Sequence, residues 1–291
     1  MKKRILSIGE MIWDVFPDKA VIGGAPLNFA AHCSLCGAES ALLSAVGNDD
    51  LGKDALAVLK KFGVSDKYVK TVSEPTGQCI VTLDRNAVPS YNVLRGVAYD
   101  NITVSDEDIA SINREKYNAL YFGTLIQRES LSRKAVKEIV SKCSFEHIIC
   151  DVNLRPDCYD GDSVDFCLSN ATVLKLSIEE EPLLRALAGY TPTSSDAESI
   201  AVSLCKKYEN LKIVMVTMGK DGSVAYDATT KRTYVQPAVG GKVVSTVGAG
   251  DSFAAAWLVS FLDGNPIEFC MEKAAERSGF VVSRVEAVPF D

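Results

Sequence analysis

Residues 244–258 read Val-Ser-Thr-Val-Gly-Ala-Gly-Asp-Ser-Phe-Ala-Ala-Ala-Trp-Leu. A turn of small residues, Gly248-Ala249-Gly250, runs directly into an apolar helical stretch that Asp251 opens. Small residues let backbone N–H groups come close to a ligand, and the start of a helix adds partial positive charge. Together they make an anion hole suited to a phosphoryl group in transfer. A carboxylate beside such a hole is unfavourable unless it accepts a proton from an attacking hydroxyl. The competing reading is structural: Asp251 caps the helix, worth about 1 kcal/mol, and the glycines shape the turn. A dinucleotide fingerprint is excluded, because the third glycine is missing.

Four other stretches have chemistry of a compatible kind. Gly23-Gly24-Ala25-Pro26-Leu27-Asn28 pairs glycines that permit close approach with an asparagine able to donate to and accept from a polyol. Asp14, just upstream, can accept from two neighbouring hydroxyls, although alone it reads as an edge charge. Asp151-Val-Asn-Leu-Arg-Pro156 follows a buried strand, so Asn153 and Arg155 emerge where α/β sheets place their ligands. The plainer alternative is a loop held by Arg155. Ser177 and Glu180 have capping-box spacing. Val216–Gly222 carries Thr217, Gly219 and Gly222 in a turn that suits phosphates or a simple hairpin equally.

The rest of the chain supplies a scaffold. Short β-branched runs at Arg4–Gly9, Ala41–Val46, Ala119–Phe122, His147–Val152, Thr172–Leu176 and Lys212–Thr217 predict buried strands. Amphipathic stretches lie between them. Leu51, Ala55, Leu59 and Phe62 share a helix face that Gly63 ends, and Ile200, Leu204, Cys205 and Tyr208 share another. This alternation predicts an α/β fold with a mostly parallel central sheet and helices on both faces. Met11–Phe16, Thr76–Asp84 and Ser90–Arg95 lack crossover helices and predict a small antiparallel sheet placed as a lid. No linker or repeat divides the 291 residues, so one domain is expected, with lid strands drawn from about residues 11–17 and 76–100.

Composition narrows the function. The formal charge of −7, without a dense basic run, disfavours nucleic acid and anionic membrane surfaces. Nine scattered cysteines and no export signal predict a reduced cytoplasmic protein. His32-Cys33-Ser34-Leu35-Cys36 has no second ligand pair and lies in an apolar run, so Cys33 and Cys36 read as packing on a helix face. His147 reads as a packed strand residue.

Taken in order, these stretches resemble the PfkB (ribokinase-like) carbohydrate kinase family from ILSIGEMIWD to RVEAVPF. STVGAGDSFAAAWL is similar to the family's C-terminal signature, with the GG-x-x-x-N stretch and VGNDDLG as N-terminal support, and GGAPLN, YNVLRGVAYDN and DVNLRP look most like fructokinases and their near relatives. The resemblance implies a ribokinase-like fold with a β-lid and ATP-dependent transfer to a sugar's primary hydroxyl, most simply fructose to fructose 6-phosphate. It makes Asp251 the base and Gly248, Ala249 and Gly250 the anion hole. Asp14, Gly24, Asn28, Arg95, Asn153 and Arg155 would face the sugar. Lys175, Thr217, Gly219 and Gly222 would lie along the nucleotide, Ala275, Ser278 and Gly279 would border adenine, and Glu180 would act near Mg²⁺. Ser245 stands where the family usually has Asp, and Val247 where a polar residue is frequent, which leaves potassium activation open. Trp257 replaces a smaller residue, a matter of packing. Family lids often pair, so a homodimer through the lid is an expectation.

Two rivals stay open. A 2-keto-3-deoxygluconate kinase would need cations for an acid sugar, and Arg95 and Arg155 could serve. A non-catalytic sugar- or nucleotide-sensing protein could lose the base or anion hole, yet Gly248–Asp251 is intact.

Overall fold

The computed structural model describes residues 2–83 and 89–290. In chain order the strands are β1 (Arg4–Ile8), β2 (Ile12–Val15), β3 (Ala20–Gly23), β4 (Glu39–Gly47), β5 (Ser65–Val72), β6 (Gly77–Leu83) and β7 (Pro89–Val93). They continue with β8 (Ala119–Gly123), β9 (His147–Asp151), β10 (Val173–Ser177), β11 (Ile213–Thr217), β12 (Ser223–Asp227) and β13 (Arg232–Gln236). The helices are α1 (Ala25–Leu35), α2 (Asp50–Lys61), α3 (Asp106–Glu115), α4 (Ser130–Lys142) and α5 (Gly161–Asn170). After them come α6 (Glu181–Ala188), α7 (Ala197–Lys207), α8 (Ala249–Leu262) and α9 (Ile267–Val282).

Among the described residues a nine-stranded sheet runs β13-β12-β11-β10-β9-β8-β1-β4-β5. All pairings from β11 to β5 are parallel, and β12 and β13 are added antiparallel at one edge. Strands buried on both faces read as continuous apolar runs, and here alternate residues enter opposite cores. Leu120 and Phe122 of β8 join the core that α3, α4, α5 and α7 cover, whereas Ala119 and Tyr121 face α1 and α8. Helix α8 is apolar around its circumference because it is buried nearly throughout, with Trp257 stacked on Phe261 at 4.8 Å.

The smaller sheet, β3-β2-β6-β7, corrects the expected pairing. It is mixed: β2 pairs antiparallel with β3 but parallel with β6, and β6 pairs antiparallel with β7. β2 continues from β1 and β6 from β5, and those parent strands both belong to the parallel part of the large sheet, so their extensions keep one direction. β3 has no counterpart in the sequence reading, nor have β5, β12 and β13. Asp84, predicted as the end of a lid strand, lies outside the described residues. Below this sheet, a buried Arg128 forks onto Asp100 at 2.7 and 2.9 Å and donates to the Leu94 carbonyl at 2.6 Å, anchoring the chain leaving β7.

Lys175 of β10 lies beneath Gly250 at the head of α8 and pairs with Asp151 at the end of β9. Gly9 and Gly24 let α1 start against the end of β1. A Cβ at Gly9 would lie 2.4 Å from Pro26 Cγ, and one at Gly24, whose φ is +109°, would lie 2.5 Å from the Glu10 carbonyl.

Candidate active site

Gly248 precedes α8 with φ +79° and ψ −3°, the left-handed conformation that glycine tolerates best. A Cβ there would lie 2.4 Å from the Ala287 carbonyl oxygen, so backbone approach also requires glycine. The first N–H groups of a helix have no intrahelical acceptor. Here Ala249 N–H turns back to Thr246 O at 3.2 Å, and the helix ladder begins at Ser252 N–H to Gly248 O at 2.9 Å. Gly250 and Asp251 occupy the intervening positions. A Cβ on Gly250 would lie 2.6 Å from Lys175 Nζ, so this glycine leaves room for a cation beneath the turn.

Asp251 Oδ2 accepts from Asn28 Nδ2 at 2.8 Å, which ties α8 to α1. Burial pushes the Asp251 pKa above its usual value, while Asn28, Lys175 and Arg155 pull it back. Asn28 is itself buried, and its Oδ1 has no partner among the described residues. Lys175 donates to both Asp151 oxygens, at 3.1 and 2.8 Å, in a pair only 8% and 2% exposed. Burial raises Asp151 to about 6 despite the ammonium, and Lys175 stays cationic because Asp151, Glu180 and Asp251 outweigh its desolvation.

Glu10 lies on the other side of the site. One oxygen accepts from Ala25 N–H at 3.2 Å, and burial lifts its pKa to about 7, with Asp251 adding repulsion. Asp14, half-buried, is the β2 partner of Cys79 in β6, whose thiol donates to it. Burial raises the Asp14 pKa while Arg155 and Cys79 lower it. Arg155 is exposed, acts electrostatically on Glu10, Asp14 and Asp251, and forms no hydrogen bond among the described residues. The loop is therefore not held by Arg155. Glu180 accepts from Leu154 N–H, and Arg95 donates to the Asp157 carbonyl. Asn153 takes φ +40°, a conformation asparagine enters more readily than most residues.

The remaining sequence candidates divide. Glu180 accepts from Leu154 N–H and Ser177 N–H, each at 2.8 Å, so both oxygens join the ends of β9 and β10. Arg95 is committed to Glu129, at the start of α4, at 2.5 Å and to Asp157 O. Thr217, Gly219 and Gly222 form a hairpin between β11 and β12, and Thr217 Oγ1 donates to Leu176 O at 3.4 Å. α9, which carries Ala275, Ser278 and Gly279, packs beside β12 and β13. A Cβ on Gly279 would lie 2.0 Å from Val239 O, so its glycine serves the loop crossing α9.

No group of three or more His, Cys, Asp or Glu able to hold a metal occurs among the described residues. Cys33 and Cys36 pack in one apolar cluster, and no disulfide joins cysteines among the described residues. His147 stands edge-on to Phe261 at 5.1 Å. No described helix is long and apolar enough to cross a membrane. The sequence reading names Lys175 but neither Glu10 nor the pairing of Lys175 with Asp151. Its available signal was a carboxylate breaking an apolar run after Gly9, and a lysine inside an otherwise apolar strand.

Known proteins resemble the chain over nearly its full length. Residues 6–290 match the family described as pfkB family carbohydrate kinase. The chain is 26% identical to the ATP-dependent 6-phosphofructokinase of Thermoanaerobacterium thermosaccharolyticum, over 99% of this chain and 90% of that one. It is 26% identical to fructokinase-2 of Oryza sativa subsp. japonica, over 95% and 85%. The crystal structure of a sugar kinase from Pyrococcus horikoshii in complex with ATP superposes with a TM-score of 0.79 at 25% identity, covering 98% of this chain and 94% of that one.

Proposed function

Because the chain belongs to the pfkB family of carbohydrate kinases, phosphotransferases acting on sugar hydroxyls, we propose that it transfers the γ-phosphate of ATP to the primary hydroxyl of a neutral ketohexose, fructose giving fructose 6-phosphate. The observation that carries this reading is Asp251, partly buried at the head of α8 and oriented by Asn28 above the Lys175 ammonium. The N–H groups of Gly250 and Asp251, with Lys175 below them, face the charge that develops on the transferring group. Asp251 takes the hydroxyl proton, and because transfer is loose it accepts that proton late. The acceleration then comes mainly from positioning and electrostatics.

Asp14, Gly24 and Asn28 suit the sugar, with Asn28 Oδ1 the acceptor left over for a hydroxyl. Asn153 and Arg155 border the same space. The small sheet carrying Asp14 and Cys79 would act as a lid that excludes water. Thr217, Gly219 and Gly222 would line the nucleotide, with Ala275, Ser278 and Gly279 towards its base. Mg²⁺ bound with the nucleotide would neutralise phosphate charge. Glu180, whose oxygens already accept backbone N–H groups, fits a role near that ion through water and not as a direct ligand. Ser245 bonds Val247 N–H at 3.2 Å and brings no carboxylate, which favours weak dependence on K⁺. Self-association through the lid and a cytoplasmic location remain part of this reading.

An anionic acceptor, such as 2-keto-3-deoxygluconate or a sugar phosphate, is the second reading. Three carboxylates, Glu10, Asp14 and Asp251, surround Arg155, and Arg95 is engaged with Glu129. That balance favours a neutral sugar. The test is ADP release with Mg-ATP and fructose, tagatose, ribose, 2-keto-3-deoxygluconate, fructose 6-phosphate or adenosine, with and without K⁺. Turnover on fructose well above the acids supports the proposal. Preference for an acid or phosphate overturns the acceptor assignment, and ATP binding without turnover on any sugar favours a sensing protein.

A further inference from the structure

The last residues of the chain close against the turn that opens α8. Ala287 and Val288 are buried with Leu27, Ala30 and Ala31 of α1 and Leu59 of α2, and Phe290 stacks on Phe62 at 5.0 Å. The Ala287 carbonyl is the group a Cβ on Gly248 would strike, so it lies directly behind that residue. The same carbonyl pairs with His32 Nε2 at 2.9 Å. A carbonyl can only accept, so Nε2 carries the hydrogen and Nδ1 is left as an acceptor. Arg277 Nε donates to Nδ1 at 3.3 Å, and Arg277 Nη2 donates to Pro289 O at 3.2 Å. Both nitrogens of this fully buried imidazole are therefore engaged, one to the C-terminal segment and one to α9.

We propose that His32, held in this tautomer by Arg277, is a positioning residue for the kinase reaction. Through the Ala287 carbonyl it fixes the Gly248 turn, and with it the direction of the Gly250 and Asp251 N–H groups. The role rests on reading that turn as the anion hole. Such donors accelerate a reaction only when already aimed, and Gly248, Ala249 and Gly250 carry no polar side chain with which to fix themselves. The imidazole touches neither sugar nor nucleotide in this scheme. Its loss should lower kcat and leave both KM values nearly unchanged.

The test compares wild type with His32→Leu, His32→Gln and Arg277→Gln in the full chain. The readouts are kcat and KM on the best sugar, ATP affinity, melting temperature, and amide exchange of residues 245–252. His32→Leu should lower kcat about tenfold with KM and ATP affinity within about twofold. Exchange at 245–252 should quicken while α3–α7 is unchanged. His32→Gln keeps a donor at the Nε2 position and should restore kcat to within about threefold of wild type. Should His32→Leu fail to fold, Arg277→Gln carries the test, with a smaller loss of kcat and the same local rise in exchange. Unchanged exchange at 245–252 overturns the positioning chain. Faster exchange with unchanged kcat overturns both this role and the turn's reading as the anion hole. A lowered kcat that His32→Gln fails to restore overturns the donor's part.

Discussion

The side-chain amide of Asn28 donates to Asp251 Oδ2 across 2.8 Å, joining two helices whose residues are 223 positions apart. It fixes one oxygen of the carboxylate and leaves Oδ1 for a hydroxyl proton. It also makes the carboxylate's ionisation sensitive to position 28. Asn28→Asp would set a second carboxylate against the first, and like charges at that distance raise one pKa strongly. The acid limb of kcat/KM should move up, and activity at pH 7 should fall at least about tenfold. A pH–rate profile identical to wild type would contradict the contact's role.

Lys175→Met would leave Asp151 buried without its cation. Removing one partner of a buried pair typically costs about 3–5 kcal/mol, whereas replacing both by apolar residues is often neutral. Urea melts should show the single variant strongly destabilised and Lys175→Met/Asp151→Leu partly recovered. Kinase activity should be low in both, because the cation beneath Gly250 is gone. Equal melts for wild type and Lys175→Met would show that the pair is dispensable for folding.

Glu10 gives a pH dependence with a definite sign. Its folded pKa, about 7, exceeds the ordinary 4.5 because it is buried. Below 4.5 the folded and unfolded chains both hold the proton. Between there and about 7 only the folded chain holds it, so this group makes stability fall as pH rises. Glu10→Gln keeps the acceptor for Ala25 N–H and removes the titration. The variant should gain stability relative to wild type between pH 5 and 8, by up to about 3 kcal/mol. A constant difference across that range would place the proton elsewhere.

Gly248→Ala meets two obstacles, φ +79° and the Ala287 carbonyl 2.4 Å from the new methyl. Backbone strain of this kind costs on the order of 1–3 kcal/mol. Thermal melting should fall, and kcat should fall further than the loss of folded protein explains. Gly264, with φ +84° and open space around it, is the control: Gly264→Ala should affect stability and leave kcat unchanged.

Much of this was legible in local pattern. Strands such as Ala119–Gly123 announce themselves because both faces are buried, and the glycine turn before Asp251 marks a helix start by chemistry alone. Pairing was harder. The parallel contact between β2 and β6 is fixed by where β1 and β5 lie in the large sheet, which no window of sequence contains. β3, with Ala20 and Val21 exposed and Gly23 at its end, lacks an apolar signature. In the site, Gly248 and Asn28 were readable as types suited to anions and polyols. The Asp151–Lys175 pair was not, because its partners are 24 residues apart in neighbouring strands. Arg95, expected at the sugar, pairs with Glu129 and the Asp157 carbonyl, contacts distant in sequence that no local pattern announces.

The most direct test is the turnover of Asp251→Asn with Mg-ATP and fructose, measured beside ATP affinity and melting temperature. The variant keeps the shape and the Asn28 neighbour but cannot accept the hydroxyl proton. The expected result is kcat lowered at least about a hundredfold with ATP affinity nearly unchanged. Wild-type turnover in that variant would contradict Asp251 as the base.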